Sequence, residues 1–173
     1  MSARLRQPDR RSCGAASLVM ARRLVSERYA GLVTDQTTFA HEAATLHRRV
    51  TSVSDTAGRW QVPWPRALGT PPWAAARDLG LVTGAPYTVR VVRLHRDVWR
   101  HLQAVRPGRP AVVFVGDRWL PRHVVLVTAT DDGGATTYEP SSGVTVHVTR
   151  ERWERGDLAL AGWTRPWLVV RPR

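Results

Sequence analysis

The chain contains one cysteine, Cys13, in the segment Ser12-Cys13-Gly14-Ala15-Ala16, where a loop gives way to an expected helix. At the start of a helix, free backbone N–H groups and the positive end of the helix dipole stabilise a thiolate. The thiolate is the form of cysteine that acts as a nucleophile in covalent catalysis. The alternative is a structural cysteine, since a lone cysteine is among the residues most often buried in a core.

Two further residues have the chemistry that a nucleophilic cysteine requires. His123 opens the apolar, strand-like run Val124-Val125-Leu126-Val127, where it would take the thiol proton and later protonate a leaving amine. Glu139 ends the next expected strand, and the hairpin turn Asp132-Gly133-Gly134 folds it back towards the level of His123. A carboxylate there would hold the imidazole in one orientation. The plain alternatives are a surface histidine at a strand end and a solvated glutamate before a proline.

Donors for an oxyanion and walls for a substrate groove can also be proposed from the sequence. The backbone N–H of Cys13 and the side-chain amide of Gln7 are candidate oxyanion donors. Gly14 would let a substrate backbone approach the nucleophile. Trp60, Trp64 and Trp73 cluster around a proline-rich loop that is predicted from Thr51 to Gly69, and they could line a substrate groove. Packing in the core is the commoner use of tryptophan.

Helical periodicity dominates the first half of the chain and alternation dominates the second. Three helices are predicted: from about Cys13 to Tyr29, from Gln36 to Arg49 with Thr34 or Asp35 as cap, and from a Thr70 cap to Leu79 before Gly80. A further helix is predicted from Leu94 to Val105. Strands are predicted at Tyr87–Val91, Ala111–Val115, His123–Thr130, Thr136–Tyr138, Val144–Val148 and Trp167–Val170. This order indicates one α+β domain over residues 1–173, with N-terminal helices packed on an antiparallel β-sheet.

The stretch from Gln7 to Ala16 resembles the opening motif of the C39-like peptidases, a papain-like cysteine peptidase family. The histidine strand of that family is matched by His123-Val124-Val125-Leu126-Val127, and its Asp-Pro element by Glu139-Pro140-Ser141-Ser142-Gly143. The resemblance covers about residues 5 to 160. It implies a papain-like fold in which Cys13 is the nucleophile and His123 the general base. It also implies that Gln7 is the oxyanion donor and that Glu139 replaces the orienting aspartate.

Charge and composition limit the other function classes. The net charge is +12, and all 26 basic residues are arginine. They are dispersed along the chain without interleaved aromatic platforms, which disfavours a dedicated nucleic-acid site beyond nonspecific electrostatic binding. His41 and His47 are six residues apart, as are His95 and His101, so neither pair has metal-ligand spacing on a helix; no metal or cofactor is expected. No signal peptide or membrane span is evident, and a cytoplasmic location is expected.

The leading interpretation is a thiol hydrolase that cleaves a peptide or related amide bond through an acyl-enzyme on Cys13. The same chemistry would serve an acyltransferase or a deamidase, because an acyl-enzyme does not dictate its acceptor. A second interpretation is a catalytically inactive papain-like domain that binds a peptide or leader segment, and the extra methylene of Glu139 favours it. A third is an arginine-driven binder of polyanions. The sequence leaves the substrate and the oligomeric state open.

Overall fold

The computed structural model describes residues 4–93 and 97–173. Within these ranges the α-helices are α1 Cys13–Val25, α2 Glu27–Leu32, α3 Gln36–Val50, α4 Pro72–Thr83, α5 Val98–Leu102 and α6 Arg150–Arg155. The strands are β1 Tyr87–Val91, β2 Ala111–Gly116, β3 Pro121–Thr130, β4 Gly134–Glu139, β5 Val144–Thr149 and β6 Arg165–Pro172. One turn of 3-10 helix, Arg66–Leu68, lies in the proline-rich loop.

The six strands form one sheet in the order β1-β6-β2-β3-β4-β5, and every neighbouring pair is antiparallel. The predicted α+β class with N-terminal helices on an antiparallel sheet is therefore confirmed. All six residues of β2 are buried, as are Val124 to Val127 of β3. Strands that are covered on both faces read as continuous apolar runs rather than as alternating ones, which explains the valine-rich segments.

Two hydrophobic cores lie on opposite faces of this sheet. Alternation along β2 sends Val112 and Phe114 to the core that contains α1, α3 and α4. The same alternation sends Val113 and Val115 to the second core, with α5 and the fully buried Trp153 of α6. The helix that bears Cys13 is thus held between the sheet and two other helices.

The first predicted helix proved to be two. The helix breaks at Ser26, which adopts extended backbone angles (φ −127°, ψ 109°), and its hydroxyl accepts a hydrogen bond from the Tyr29 N–H at 3.2 Å. Serine favours such capping over a helix interior, so α2 begins anew at Glu27. The prediction of one continuous helix to Tyr29 was wrong, and Gly31 lies inside α2 rather than after it.

The second predicted helix is confirmed as α3, and Asp35 is its cap: the Asp35 carboxylate accepts the N–H groups of Thr37 and Thr38 at 2.8 and 2.9 Å. The bounds predicted for α4 were wrong at both ends. Pro71 occupies its N-cap position rather than Thr70. The helix passes Gly80 and ends at Gly84, which has a left-handed φ of +64°.

The remaining differences concern short elements. The helix predicted for Leu94–Val105 is the shorter α5, and Leu94, His95 and Arg96 lie outside the described residues. Helix α6 was not predicted, because six residues are too few for a periodic pattern. The predicted hairpin turn is confirmed: the Asp131 carboxylate accepts the N–H groups of Gly133 and Gly134 at 2.8 and 2.9 Å.

A buried ion pair joins α1 to α4. The Arg22 guanidinium binds the carboxylate of Asp78, whose side chain is 2% exposed, and the hydroxyl of Thr56 donates to the same carboxylate at 3.0 Å. Both helices contribute residues near Cys13, so this pair helps to fix their relative position. A buried charge that loses its partner is strongly destabilising, whereas loss of the whole pair often costs little.

We therefore expect Arg22→Met to lower the free energy of unfolding by about 3 kcal/mol, because it leaves the Asp78 carboxylate buried without its counter-charge. The double variant Arg22→Met/Asp78→Leu should recover most of that loss. Urea denaturation of the two variants and the wild type measures both effects. Equal destabilisation of the single and double variants would contradict this account.

Candidate active site

Cys13 is the first residue of α1, as predicted, and an ordered loop holds it there. The Asp9 carboxylate accepts the N–H groups of Arg11 and Ser12 at 2.7 and 3.0 Å. Ser12 is the N-cap residue, but its hydroxyl donates to the Asp9 carbonyl at 3.1 Å instead of capping the helix. As the first N–H of a helix, that of Cys13 has no helical carbonyl to bind.

His123 and Glu139 form a buried pair across strands β3 and β4. Strands β3 and β4 pair with Tyr138 opposite Leu126. In this antiparallel register Glu139 is a diagonal neighbour of His123. His123 Nε2 lies 2.7 Å from Glu139 Oε1, and the two side chains are 6% and 7% exposed. The carboxylate is an acceptor, so Nε2 carries the proton in this contact, and Nδ1 lies on the opposite side of the ring from Glu139.

Two serines complete the environment of the Glu139 carboxylate. Its Oε1 accepts the N–H of Ser141 at 2.7 Å, and its Oε2 accepts the Ser141 hydroxyl at 2.8 Å. Oε2 also accepts the N–H and the hydroxyl of Ser142 at 2.9 and 2.6 Å. These four bonds bend the longer side chain back over its own turn, which is how a glutamate can reach His123 from this position.

The electrostatics of the pair favour its charged form. Burial raises the pKa of Glu139, but hydrogen bonds from His123, Ser142 and Ser141 lower it by a larger amount. The pKa of Glu139 therefore lies well below its usual value. Burial by itself lowers the pKa of His123, whereas the neighbouring side chains of Cys13 and Glu139 raise it to about 9. This direction favours the imidazolium form of His123 at neutral pH.

Cys13 and His123 line a common cavity of about 520 Å³. The residues that surround it come from the loop before α1, the proline-rich loop, α4 and the strands β2, β3 and β6: Arg10, Arg11, Trp64, Ala67, Leu68, Gly69, Thr70, Pro72, Trp73, Phe114, Leu120, Pro121, Arg122, Val124 and Leu168. Most are apolar. A peptide-sized ligand in this cavity would lie against both the thiol and the imidazole.

Gly14 packs against Thr70. This contact, and not the approach of a substrate backbone that the sequence suggested, is the reason for a glycine here. A Cβ at position 14 would lie 2.5 Å from the Thr70 Cβ and 2.6 Å from its hydroxyl. Gly14 is buried and is not among the residues that line the cavity. It therefore lets Thr70, directly after the proline-rich loop, pack against α1 next to Cys13.

Gln7 lies beside the site, but its amide is engaged elsewhere. Its backbone N–H donates to the Pro140 carbonyl at 2.8 Å, and its Nε2 donates to the Asp9 carbonyl at 2.7 Å. One amide hydrogen remains for another acceptor. Gln7 does not belong to the described lining of the cavity.

The tryptophans separate into two groups. Trp64 and Trp73 line the cavity and pack edge to face, with ring centroids 5.1 Å apart. Trp60 is 70% exposed and is not among the described lining residues. The structure thus brings together Cys13, His123, Glu139 and the two tryptophans, and it leaves Trp60 on the surface.

Several residues at the site were missed from the sequence alone. Thr70 was assigned only as a helix cap, and no role was given to the serine pair, although two small hydroxyl residues after a Glu-Pro step are typical of side-chain-to-backbone turns. Leu68 and Leu120 carry no local signal, since the loops that bring them to the cavity are irregular. Among the described residues, no group of three histidine, cysteine or acidic side chains has the arrangement of a metal site.

Gly14→Ala should lower the free energy of unfolding by about 2 kcal/mol, because the new methyl group would overlap the Thr70 side chain. The double variant Gly14→Ala/Thr70→Gly removes the overlapping atoms and should restore part of that loss. Thermal or urea denaturation provides the measurement. No destabilisation in the single variant would show that the loop can move away from α1.

Glu139→Gln should destabilise the protein by about 3 kcal/mol at pH 6 and by less at pH 10. The folded-state pKa of His123 is raised from 6.5 to about 9, so its stabilising charge is fully present below pH 6.5 and is lost as pH rises through 9. Because the folded-state pKa of Glu139 is lowered, the stabilisation that its charge provides is present above pH 4.5 and is lost as the pH falls. Denaturation at both pH values tests this.

Glu154→Gln is the matched control for that experiment, since Glu154 pairs with Arg150 on the exposed face of α6. It should change stability by less than about 1 kcal/mol at either pH. A loss in Glu139→Gln that is the same at pH 6 and pH 10 would contradict a charged His123–Glu139 pair.

Among solved structures, the fold is similar to the crystal structure of the peptidase domain of Streptococcus ComA, a bi-functional ABC transporter involved in a quorum sensing pathway. The TM-score is 0.50 and the identity 16%, over 98% of this chain and 97% of that one. The peptidase domain of Streptococcus mutans ComA matches with a TM-score of 0.44 and 14% identity, over 97% of this chain and 98% of that one. No protein-family model and no curated protein sequence matches the chain. The first likeness shows the fold alone: the chain shares the α+β architecture of that domain.

Proposed function

We propose that the protein is a thiol hydrolase that cleaves a peptide or related amide bond through an acyl-enzyme on Cys13. The observation that carries the proposal is the arrangement of three side chains. Cys13 stands at a helix start and shares a cavity with His123, and a buried Glu139 holds the far nitrogen of that imidazole at 2.7 Å. An isolated structural cysteine needs none of these partners.

In the proposed acylation step, the Cys13 thiolate attacks the carbonyl carbon of the scissile bond. The backbone N–H of Cys13 would stabilise the oxyanion, with the remaining amide hydrogen of Gln7 as the second donor. His123 Nδ1–H gives its proton to the leaving amine as the C–N bond breaks, which leaves a thioester on Cys13. Glu139 stays a carboxylate throughout and keeps Nε2 protonated.

In the proposed deacylation step, neutral His123 takes a proton from water through Nδ1. The resulting hydroxide adds to the thioester carbonyl, the C–S bond breaks, and a carboxylic acid leaves. The thiolate–imidazolium pair is thereby regenerated. An amine that replaces water at this step would make the same site a transferase.

One observation favours the alternative of an inactive domain that binds a peptide. The Gln7 amide donates to the Asp9 carbonyl, and Gln7 is outside the described lining of the cavity. A site with a single oxyanion donor would be a poor catalyst, since loss of one such donor typically costs about 100- to 1000-fold in rate. The cavity would bind a peptide in either case.

The experiment that tests the proposal is the rate of iodoacetamide alkylation at pH 6 to 7, where Cys13 is the only thiol that can react. The wild type should react at least about tenfold faster than His123→Ala, because the imidazolium stabilises the thiolate. His147→Ala is the matched control, since His147 pairs with Asp131 at an exposed hairpin turn. It should react like the wild type.

Turnover is tested with a library of quenched fluorescent peptides. Cys13→Ala should abolish cleavage and retain the far-ultraviolet circular dichroism of the wild type. Cleavage that persists in Cys13→Ala would exclude the thiol mechanism. Equal alkylation rates in the wild type and His123→Ala, with peptide binding but no cleavage, would support the inactive binding domain instead.

A further inference from the structure

The charged side chains around the cavity all have the same sign. Arg10 and Arg11 stand on the side of Cys13, and Arg122 stands next to His123. No aspartate or glutamate is among the described lining residues. The segments that carry Cys13 and His123 therefore each contribute cationic side chains to the cavity.

The arginines on the cysteine side are available to a ligand. Both are exposed, and neither makes an ion pair within the described part of the chain. Asp9 is the nearest acidic residue in sequence, but its carboxylate accepts backbone N–H groups of the loop. Arg122 already has one acidic partner, because its Nε lies 3.4 Å from Asp117 Oδ2.

Between these arginines the walls are apolar, and part of the apolar surface faces solvent. Leu68 and Leu120 are 65% and 50% exposed, and both line the cavity. Phe114, Val124 and Leu168 lie deeper. Contiguous exposed apolar surface at the rim of a cavity is typical of a ligand-binding groove.

We propose that this cavity selects peptide segments in which a bulky apolar residue is flanked by aspartate or glutamate. The inference rests on the proposed function, since it names the substrate class of the same site. The apolar side chain enters between Leu68, Leu120 and Leu168. Its acidic neighbours meet Arg10 and Arg11 on one side and Arg122 on the other.

A nucleic acid fits these observations less well. The two indoles in the wall pack edge to face against each other at an interplanar angle of 90°, so they do not present parallel platforms for successive bases. Three arginines around an apolar cavity are also too few to follow a phosphate backbone. The net charge of +12 adds a long-range attraction for any polyanion, and the test has to separate that attraction from local recognition.

The test uses two short peptides with a fluorophore and a quencher at their ends, so that cleavage anywhere is detected. In one, a central leucine is flanked by glutamates; in the other, glutamine replaces each glutamate. At physiological salt the wild type should cleave the glutamate peptide with a kcat/KM about tenfold higher, which is what two exposed ion pairs supply. The same two peptides are titrated into Cys13→Ala, and their Kd values should differ by a similar factor.

Charge-matched variants separate local from global effects. Arg10→Gln/Arg11→Gln should reduce the preference for the glutamate peptide to about threefold or less. Arg90→Gln/Arg100→Gln removes the same charge from exposed positions on β1 and α5, outside the described lining of the cavity, and should keep the full preference. Equal losses in the two double variants would overturn the inference, because only net charge would then matter.

The remaining outcomes distinguish this inference from the proposed function. Cleavage of both peptides at equal rates would overturn the acidic preference and leave the hydrolase intact. Selective binding of the glutamate peptide to Cys13→Ala without cleavage by the wild type would support the preference and reject the hydrolase. A competition experiment at physiological salt compares two competitors for the labelled glutamate peptide: a duplex oligonucleotide and the unlabelled glutamate peptide. Stronger displacement by the oligonucleotide would overturn the assignment to peptides.

Discussion

The buried contact between His123 and Glu139 is the interaction on which the arrangement of the site depends. The two charges lie on adjacent strands with almost no exposure to solvent, at a distance of 2.7 Å. Such a pair is stable only when its other hydrogen-bonding capacity is also used. The serine pair satisfies the carboxylate, and His123 lines the same cavity as Cys13. Strands β3 and β4 and the turn after β4 are therefore tied together by one buried polar cluster.

The turn after β4 shows how a glutamate can occupy this place. Gly143 adopts a left-handed φ of +68°, and its N–H donates to the Glu139 carbonyl at 2.9 Å, which closes a tight turn under the carboxylate. Ser141 and Ser142 then donate from within that turn. The turn thus supplies hydrogen-bond donors to both carboxylate oxygens of Glu139.

The segment before Cys13 is tied to the same turn. The Tyr138 hydroxyl donates to the Leu5 carbonyl at 2.7 Å, and the Gln7 N–H donates to the Pro140 carbonyl at 2.8 Å. Because these bonds anchor the chain a few residues before Cys13, the start of α1 has a fixed position relative to β4. The cavity lies where the anchored segment, the proline-rich loop and the sheet meet.

Within the described ranges no helix is both long and apolar enough to cross a membrane.

The sequence by itself determined the elements whose signals are local. Capping, turn chemistry and periodicity predict the helix start at Cys13, a cap at Thr34 or Asp35, the turn around Gly133 and the valine-rich strands. The hairpin register brings Glu139 near His123. The break at Ser26 and the passage of α4 through Gly80 did not follow, because packing overrides weak propensities. The roles of Gly14, Thr70 and the cavity arginines depended on contacts between segments far apart in the chain. Only the tertiary structure creates those contacts, since the energy of packing one loop against another leaves no periodic trace in either.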